Sequence, residues 1–242
     1  MAYLTFDDLD INYSRFLPAS LQAEILAVGC GRGRVLSFLR TKGYTRLTGF
    51  DQDVDAVEWV KNHVTPNVFV ERDWRHFLGS RAHAFDLVIA KDVIYYLSLD
   101  RVVEHLHWLQ GALKPGGRLI VEVFNGAART GPYIRDKDYR IQWVPTELAV
   151  AALLRDAGFT VTHLFGQSPH RRGLKRRLFN FMGGCWRLVL KAIYVLERGL
   201  DEENPKVLTT KLIAVAEAPR PTDATGGEAQ RDPHAGRDAR QP

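Results

Sequence analysis

With 242 residues, 45% of them apolar, the chain has material for one α/β domain with a full core and some embellishment. Only two cysteines occur, Cys30 and Cys185, which argues against a disulfide framework and for a reducing compartment. The formal charge of +5 is smaller than the seven cations Arg171, Arg172, Lys175, Arg176, Arg177, Arg187 and Lys191, which lie between Asp156 and Glu197 where no acid occurs; the basic character is local.

In chain order, residues 1–18 are mixed aromatic and acidic, with Asp7, Asp8 and Asp10, and predict a short helix or an N-terminal arm before the core. They lack the basic-then-apolar pattern of a secretory signal, so a cytoplasmic protein is expected. Over residues 19–218, apolar β-prone runs alternate with helical periodicity. Strands are predicted at 24–29, 45–50, 67–71, 85–90, 118–124, 159–165 and 210–218. Helices are predicted at 32–42, closed by Gly43, and at 53–64, with Asp53 as N-cap. Two more follow at 99–113, stopped by Lys114-Pro115-Gly116-Gly117, and at 146–157, ended by Gly158. The alternation predicts an α/β domain: a seven-stranded, mostly parallel sheet with helices on both faces.

An insertion at about 166–206 carries Leu178, Phe181, Met182, Cys185, Trp186, Val189, Ala192, Ile193 and Leu196 at unbroken helical spacing, opposite a polar stripe of Asn180, Gly184, Arg187 and Lys191. Arg187 and Lys191 inside the run argue against a membrane span. The expected roles are a core helix packed on the sheet or on a homodimer mate, or a peripheral contact of 171–196 with anionic lipid at the inner face of the membrane. A basic cluster beside a wholly apolar face is the wrong shape for a phosphate groove, so no nucleic-acid partner is expected. Residues 219–242 contain nothing apolar larger than Ala, apart from proline, and predict a disordered tail. No spacing of histidine and cysteine suits a metal ion.

The chemistry concentrates at Ile25-Leu26-Ala27-Val28-Gly29-Cys30-Gly31-Arg32-Gly33, where a strand breaks into alternate glycines and passes into a helix. Glycines there allow a sharp turn and close approach of a ligand to bare main chain. Twenty-two residues past Gly29, the second strand ends in Asp51, a carboxylate suited to the two hydroxyls of a ribose. The dinucleotide fingerprint requires Gly or Ala five positions after its first Gly, and Arg34 stands there, which disfavours NAD.

Val28-Gly29-Cys30-Gly31-Arg32-Gly33 resembles the nucleotide-binding turn of class I S-adenosylmethionine-dependent methyltransferases, except that Ala27 stands where that family usually has an acid. Leu113-Lys114-Pro115-Gly116-Gly117-Arg118-Leu119 and Ala157-Gly158-Phe159 resemble its approaches to strands five and six. The resemblance spans about 17–218 and implies a Rossmann-like fold with S-adenosylmethionine as cofactor. It assigns cofactor contacts to Gly29, Cys30, Gly31 and Gly33, to Asp51 and Gln52 at the ribose, to Asp73 and Trp74 at the adenine, and to Lys91 at the amino end. A second reading of Asp73 and Trp74 is a helix cap and a core residue.

For methyl transfer to a hydroxyl a general base is wanted. Related small-molecule methyltransferases often carry Glu-His where this chain has Tyr95 and Tyr96, so the catalytic candidates are Asp92 and Tyr96. Asn125-Gly126, the loop from Tyr133 to Trp143, and Pro145-Thr146-Glu147-Leu148 resemble methyltransferases of polysaccharide and lipopolysaccharide biosynthesis clusters. Their Thr-His-Glu corresponds to Asp138, Tyr139 and Arg140. The expected function is therefore O-methylation of a saccharide or lipid-linked saccharide. The alternatives are methylation of a quinone or secondary metabolite, and cofactor binding with little turnover.

Overall fold

A computed structural model describes residues 6–169 and 174–220, without the side chains of 174–176. Seven strands form one sheet: β1 (Ile25–Val28), β2 (Leu47–Asp51), β3 (Val68–Val70), β4 (Phe85–Lys91), β5 (Leu113–Phe124), β6 (Thr160–Gly166) and β7 (Lys211–Glu217). Their order is β3-β2-β1-β4-β5-β7-β6. Neighbours from β3 to β5 are parallel, and β7 runs antiparallel to both β5 and β6. The sheet matches the predicted mostly parallel, seven-stranded architecture.

Each central strand buries both faces, as a helix-covered parallel sheet requires. Leu26, Val28, Val88 and Ala90 face Val102, Leu106 and Leu109 of α5 (Leu99–Ala112). Ile25, Ala27, Leu87 and Ile89 share the opposite layer with Leu36 and Leu39 of α2 (Arg34–Thr41) and Val57 and Val60 of α3 (Val54–His63). Strand order reverses between β1 and β4, so the carboxyl ends of these strands open a crevice there.

Several expectations change. The N-terminal segment takes the short-helix alternative, and α1 (Asp7–Tyr13) packs on the core, burying Leu9 and Tyr13 in the second layer. Strand β5 begins at Leu113, directly after α5. Lys114-Pro115-Gly116-Gly117 bulges within it, since Leu113 pairs with Phe85 and the next pair is Arg118 with Leu87. Two short helices appear that the periodicity did not mark, α4 (Trp74–Gly79) and α6 (Gly131–Asp136); neither is long enough to show a repeat. The 25-residue helix α8 (Leu174–Arg198) lies between β6 and β7 and is not a core helix on the sheet, because its apolar residues are exposed. No described helix is long and apolar enough to cross a membrane. Arg171, Arg172 and the tail beyond residue 220 lie outside the described residues.

The segment Pro145-Thr146-Glu147-Leu148 is a helix start. Thr146 caps α7 (Glu147–Asp156) through Ala149 N–H. The Glu147 carboxylate, 7% exposed, accepts the backbone N–H groups of Lys206 and Val207, each at 2.7 Å, and so ties α7 to the approach to β7. Glu147→Ala leaves two donors without their charged acceptor and is expected to cost about 1.5–3 kcal/mol. Urea denaturation should show a lower midpoint at unchanged slope; an unchanged midpoint contradicts the assignment.

Candidate active site

The glycine turn connects β1 to α2 with three residues in left-handed backbone: Gly29 (φ +60°), Gly31 (+48°) and Gly33 (+71°). They serve different ends. A Cβ on Gly29 would meet Val93 Cγ2 at 2.6 Å, and one on Gly33 would meet Val60 Cγ2 at 2.7 Å. Gly33 thus lets α2 approach α3, and neither Gly33 nor Gly31 lines the cavities described below. A Cβ on Gly31 would meet nothing within 4 Å, so bare main chain faces open space. Its N–H donates to Asp51 Oδ2 at 2.7 Å, and Asp53 N–H donates to Asp51 Oδ1 at 3.0 Å. The Asp51 carboxylate is oriented by main chain at the tip of β2.

Two cavities meet at Gly29 and Asp92. The first, about 260 Å³, is lined by Phe50, Asp51, Gln52, Glu71, Trp74, Val93 and Tyr96, among others. Trp74 is 6% exposed and stands edge-on to Phe50, with ring centroids 5.7 Å apart. Asp73 is turned to the helix start, where its carboxylate accepts Arg75 N–H at 2.9 Å and His76 N–H at 3.3 Å. The capping reading of Asp73 is the one the geometry shows, while Trp74 is both core and cavity wall.

The second cavity, about 340 Å³, is lined by Ala27, Gly29, Cys30, Lys91, Asp92 and Lys211 together with Asp8, Arg34 and Gln167. Burial, and then the charge of Asp51, push the Cys30 thiol up to about 12, so it is no nucleophile near neutrality. Asp8 of α1 reaches this cavity and pairs with Arg34 at 2.5 Å.

Behind both lies a cluster of four charges. Glu122, 1% exposed near the carboxyl end of β5, takes Lys91 Nζ and Lys211 Nζ (2.9 Å) on Oε1, and the Tyr13 hydroxyl at 2.6 Å on Oε2. Asp92 Oδ2 accepts Lys91 at 2.7 Å and Lys211 at 2.5 Å. Asp92 sits in left-handed backbone (φ +57°), and its Oδ1 is buried without a hydrogen-bond partner among the described residues. Burial opposes its charge, but Lys211 and Lys91 outweigh that and hold its carboxyl below the ordinary value. Burial works against the charge of Lys211 too, yet Glu122 and Asp92 raise its pKa.

The 3-10 turn Ile94–Tyr96 closes the first cavity. Burial raises the Tyr95 phenol, helped by Asp92, and burial raises that of Tyr96, helped by Asp138. Tyr96 is therefore a proton donor near neutrality and no base. The loop after β5 is pinned over this turn: Gln142 N–H donates to Tyr95 O at 3.0 Å and Trp143 Nε1 to Leu97 O at 2.9 Å. Sequence reasoning missed Asp8, Tyr13, Glu122 and Lys211. The signals were there, in a charge within the apolar run of β5, a lysine opening β7 and an acid-rich first helix.

Residues 2–164 match the model of a family described as a methyltransferase domain. A trans-aconitate 2-methyltransferase of Rhodopseudomonas palustris (strain BisB18) is 28% identical over 160 residues, 64% of this chain and 60% of that protein. The chain thus spans about three-fifths of the length of the curated relatives it matches. Among solved structures, an S-adenosylmethionine-dependent methyltransferase of Archaeoglobus fulgidus superposes with a TM-score of 0.63 at 17% identity, covering 87% of this chain and 92% of that one. One of Mesorhizobium loti gives 0.57 at 15% identity, with 87% and 97% covered. With the switch-point crevice, the glycine turn and Asp51 in place, the chain belongs to the methyltransferase-domain family, on the Rossmann-like fold of S-adenosylmethionine-dependent methyltransferases.

Proposed function

We propose that this chain is an S-adenosylmethionine-dependent methyltransferase that methylates an oxygen of a small acceptor, and that the oxygen is a carboxylate's. The observation that carries the reading is the pair of cavities joined at Gly29 and Asp92. One offers an acid and aromatic walls to an adenosine, the other charged groups to an amino acid. Open space at Gly31 and the orphaned Asp92 Oδ1 fit such a guest. Asp51 would accept the ribose hydroxyls, and Phe50 and Trp74 would flank the base. Asp8 and Asp92 would receive the ammonium that the family's acid takes where Ala27 stands, with Lys211 and Arg34 near the carboxylate.

S-adenosylmethionine supplies a methyl group on a sulfonium, which an oxygen displaces in line. What the chain must do is align the acceptor and exclude water. The lining groups Cys30, Asp92, Tyr96 and Lys211 are each shifted away from neutrality, which leaves none of them poised as a general base. A carboxylate needs no base, because it arrives ionised. The trans-aconitate 2-methyltransferases are named for a carboxylic acid, which supports this choice.

The second reading is a hydroxyl of a saccharide or lipid-linked saccharide. It is favoured by the loop after β5, where Tyr133 and Tyr139 are 71% and 92% exposed, aromatic faces on which a sugar ring could stack. Asp92 would then have to serve as base.

Asp51→Ala should weaken S-adenosylmethionine binding by about 1.5–3 kcal/mol, the worth of a charged hydrogen-bond partner. Titration calorimetry giving equal affinity for variant and parent rejects the ribose assignment.

The acceptor class is read from the product. Methyl transferred from tritiated cofactor to a carboxylate is an ester, released as volatile methanol by mild alkali, whereas a methyl ether resists it. The rate should also stay flat from about pH 6 to about pH 9, since the shifted groups titrate outside that window. Alkali-stable product, or a limb near pH 7, favours the hydroxyl reading. Cofactor binding without product from either class of acceptor points to a binding protein.

A further inference from the structure

Helix α8 is mounted with its apolar side outward. The residues it turns toward the body are Asn180, Gly183, Gly184, Arg187, Leu190 and Tyr194, all half-buried or buried. Leu190 joins only a small cluster with Ala127 and Leu208. On the opposite arc Leu178, Phe181, Met182, Trp186, Val189 and Leu196 are 49–84% exposed. The stripe from Leu178 to Leu196 runs about 27 Å at 1.5 Å per residue. A monomer in water has no reason to present such a face, and a contiguous apolar patch of this length marks a contact surface.

Charge says what the contact is. Lys191 and Lys206 are exposed, and with the half-buried, body-facing Arg187 they line a groove of about 610 Å³ whose other walls include Phe181 and Leu188 at the edge of the stripe. No ion pair to any of these three cations forms among the described residues. A two-fold contact between copies would bring each helix's cations toward their own counterparts, and no acid occurs between Asp156 and Glu197 to offset them. An anionic bilayer surface meets both demands: apolar side chains enter the acyl boundary while the cations reach phosphate.

We propose that α8 lies in the interface of an anionic membrane, with the Leu178–Leu196 stripe in the lipid and the exposed Lys191 and Lys206 on the headgroups. This contact is independent of which acceptor is methylated.

The full chain is tested by co-sedimentation with vesicles of phosphatidylcholine alone and with about one-third phosphatidylglycerol. At least tenfold more protein should pellet with the anionic vesicles, and salt near 0.5 M should reduce the difference. Lipids brominated on the acyl chain should quench the parent more than Trp186→Phe, which places that ring in the bilayer. Phe181→Glu with Val189→Glu should abolish binding, and Lys191→Gln with Lys206→Gln should weaken the preference for anionic lipid. All these sites are on the surface, and unchanged affinity for S-adenosylmethionine shows that the variants fold. Parent protein that ignores anionic vesicles overturns the proposal. So does a concentration-dependent dimer, by analytical ultracentrifugation, that Phe181→Glu dissociates, because a second copy then covers the stripe.

Discussion

Glu122 is a carboxylate at 1% exposure near the carboxyl end of β5, and the ends of three other elements are arranged around it. A charge taken out of water costs several kcal/mol unless neighbours replace the lost hydration. Here they come from Lys91 at the end of β4, Lys211 at the start of β7 and Tyr13 on α1. One buried acid therefore fixes the first helix, a central strand and the last strand against one another. The same lysines hold Asp92 by Oδ2, in a left-handed conformation that a non-glycine residue adopts only where its surroundings enforce it. Asp92 is the neck between the two cavities, so the shape of the site depends on a charge that touches neither opening.

What the chain revealed beforehand follows the range of each signal. Local conformation was legible: alternate glycines imply positive φ, and an acid at the end of an apolar run implies a carboxylate at a strand tip. Both features are in place. The division of labour among the glycines was not legible, because it depends on Val93 and Val60, residues far along the chain. Asp73 shows the limit from the other side. An acid followed by Trp after a strand suits a ligand or a helix start equally well, and only the two N–H groups it accepts decide between them. Glu122, Lys211 and Tyr13 are single polar residues in three separate elements, and no spacing links them.

Helix α8 is a case where periodicity is correct and still insufficient. A repeat near 3.6 says that one face is apolar, without saying what that face meets. For α2 and α5 the sheet meets it, and the inward residues are buried. For α8 the body is met by glycines, an asparagine and an arginine, and the apolar arc is left outside. The difference comes from anchoring. Leu190 packs on Leu208 in the segment before β7, while a Cβ on Gly183 or Gly184 would meet only the Arg187 guanidinium within 4 Å.

Ala27 illustrates why loss of a motif residue is not loss of its chemistry. The family's acid works by delivering a carboxylate to a point in space, and position in the chain is only one way to do so. In this molecule Asp8 arrives at that cavity from α1 and Asp92 from the end of β4. Both depend on Glu122, Asp8 through the anchoring of Tyr13 one turn further along α1 and Asp92 through the shared lysines. On the proposed reading, the buried acid would compensate for Ala27 indirectly, since it helps hold two other carboxylates, Asp8 and Asp92, at the cavity that Ala27 lines. A cavity edged by Asp8, Asp92, Lys211 and Arg34 carries both signs of charge, which is what the zwitterionic end of an amino acid requires.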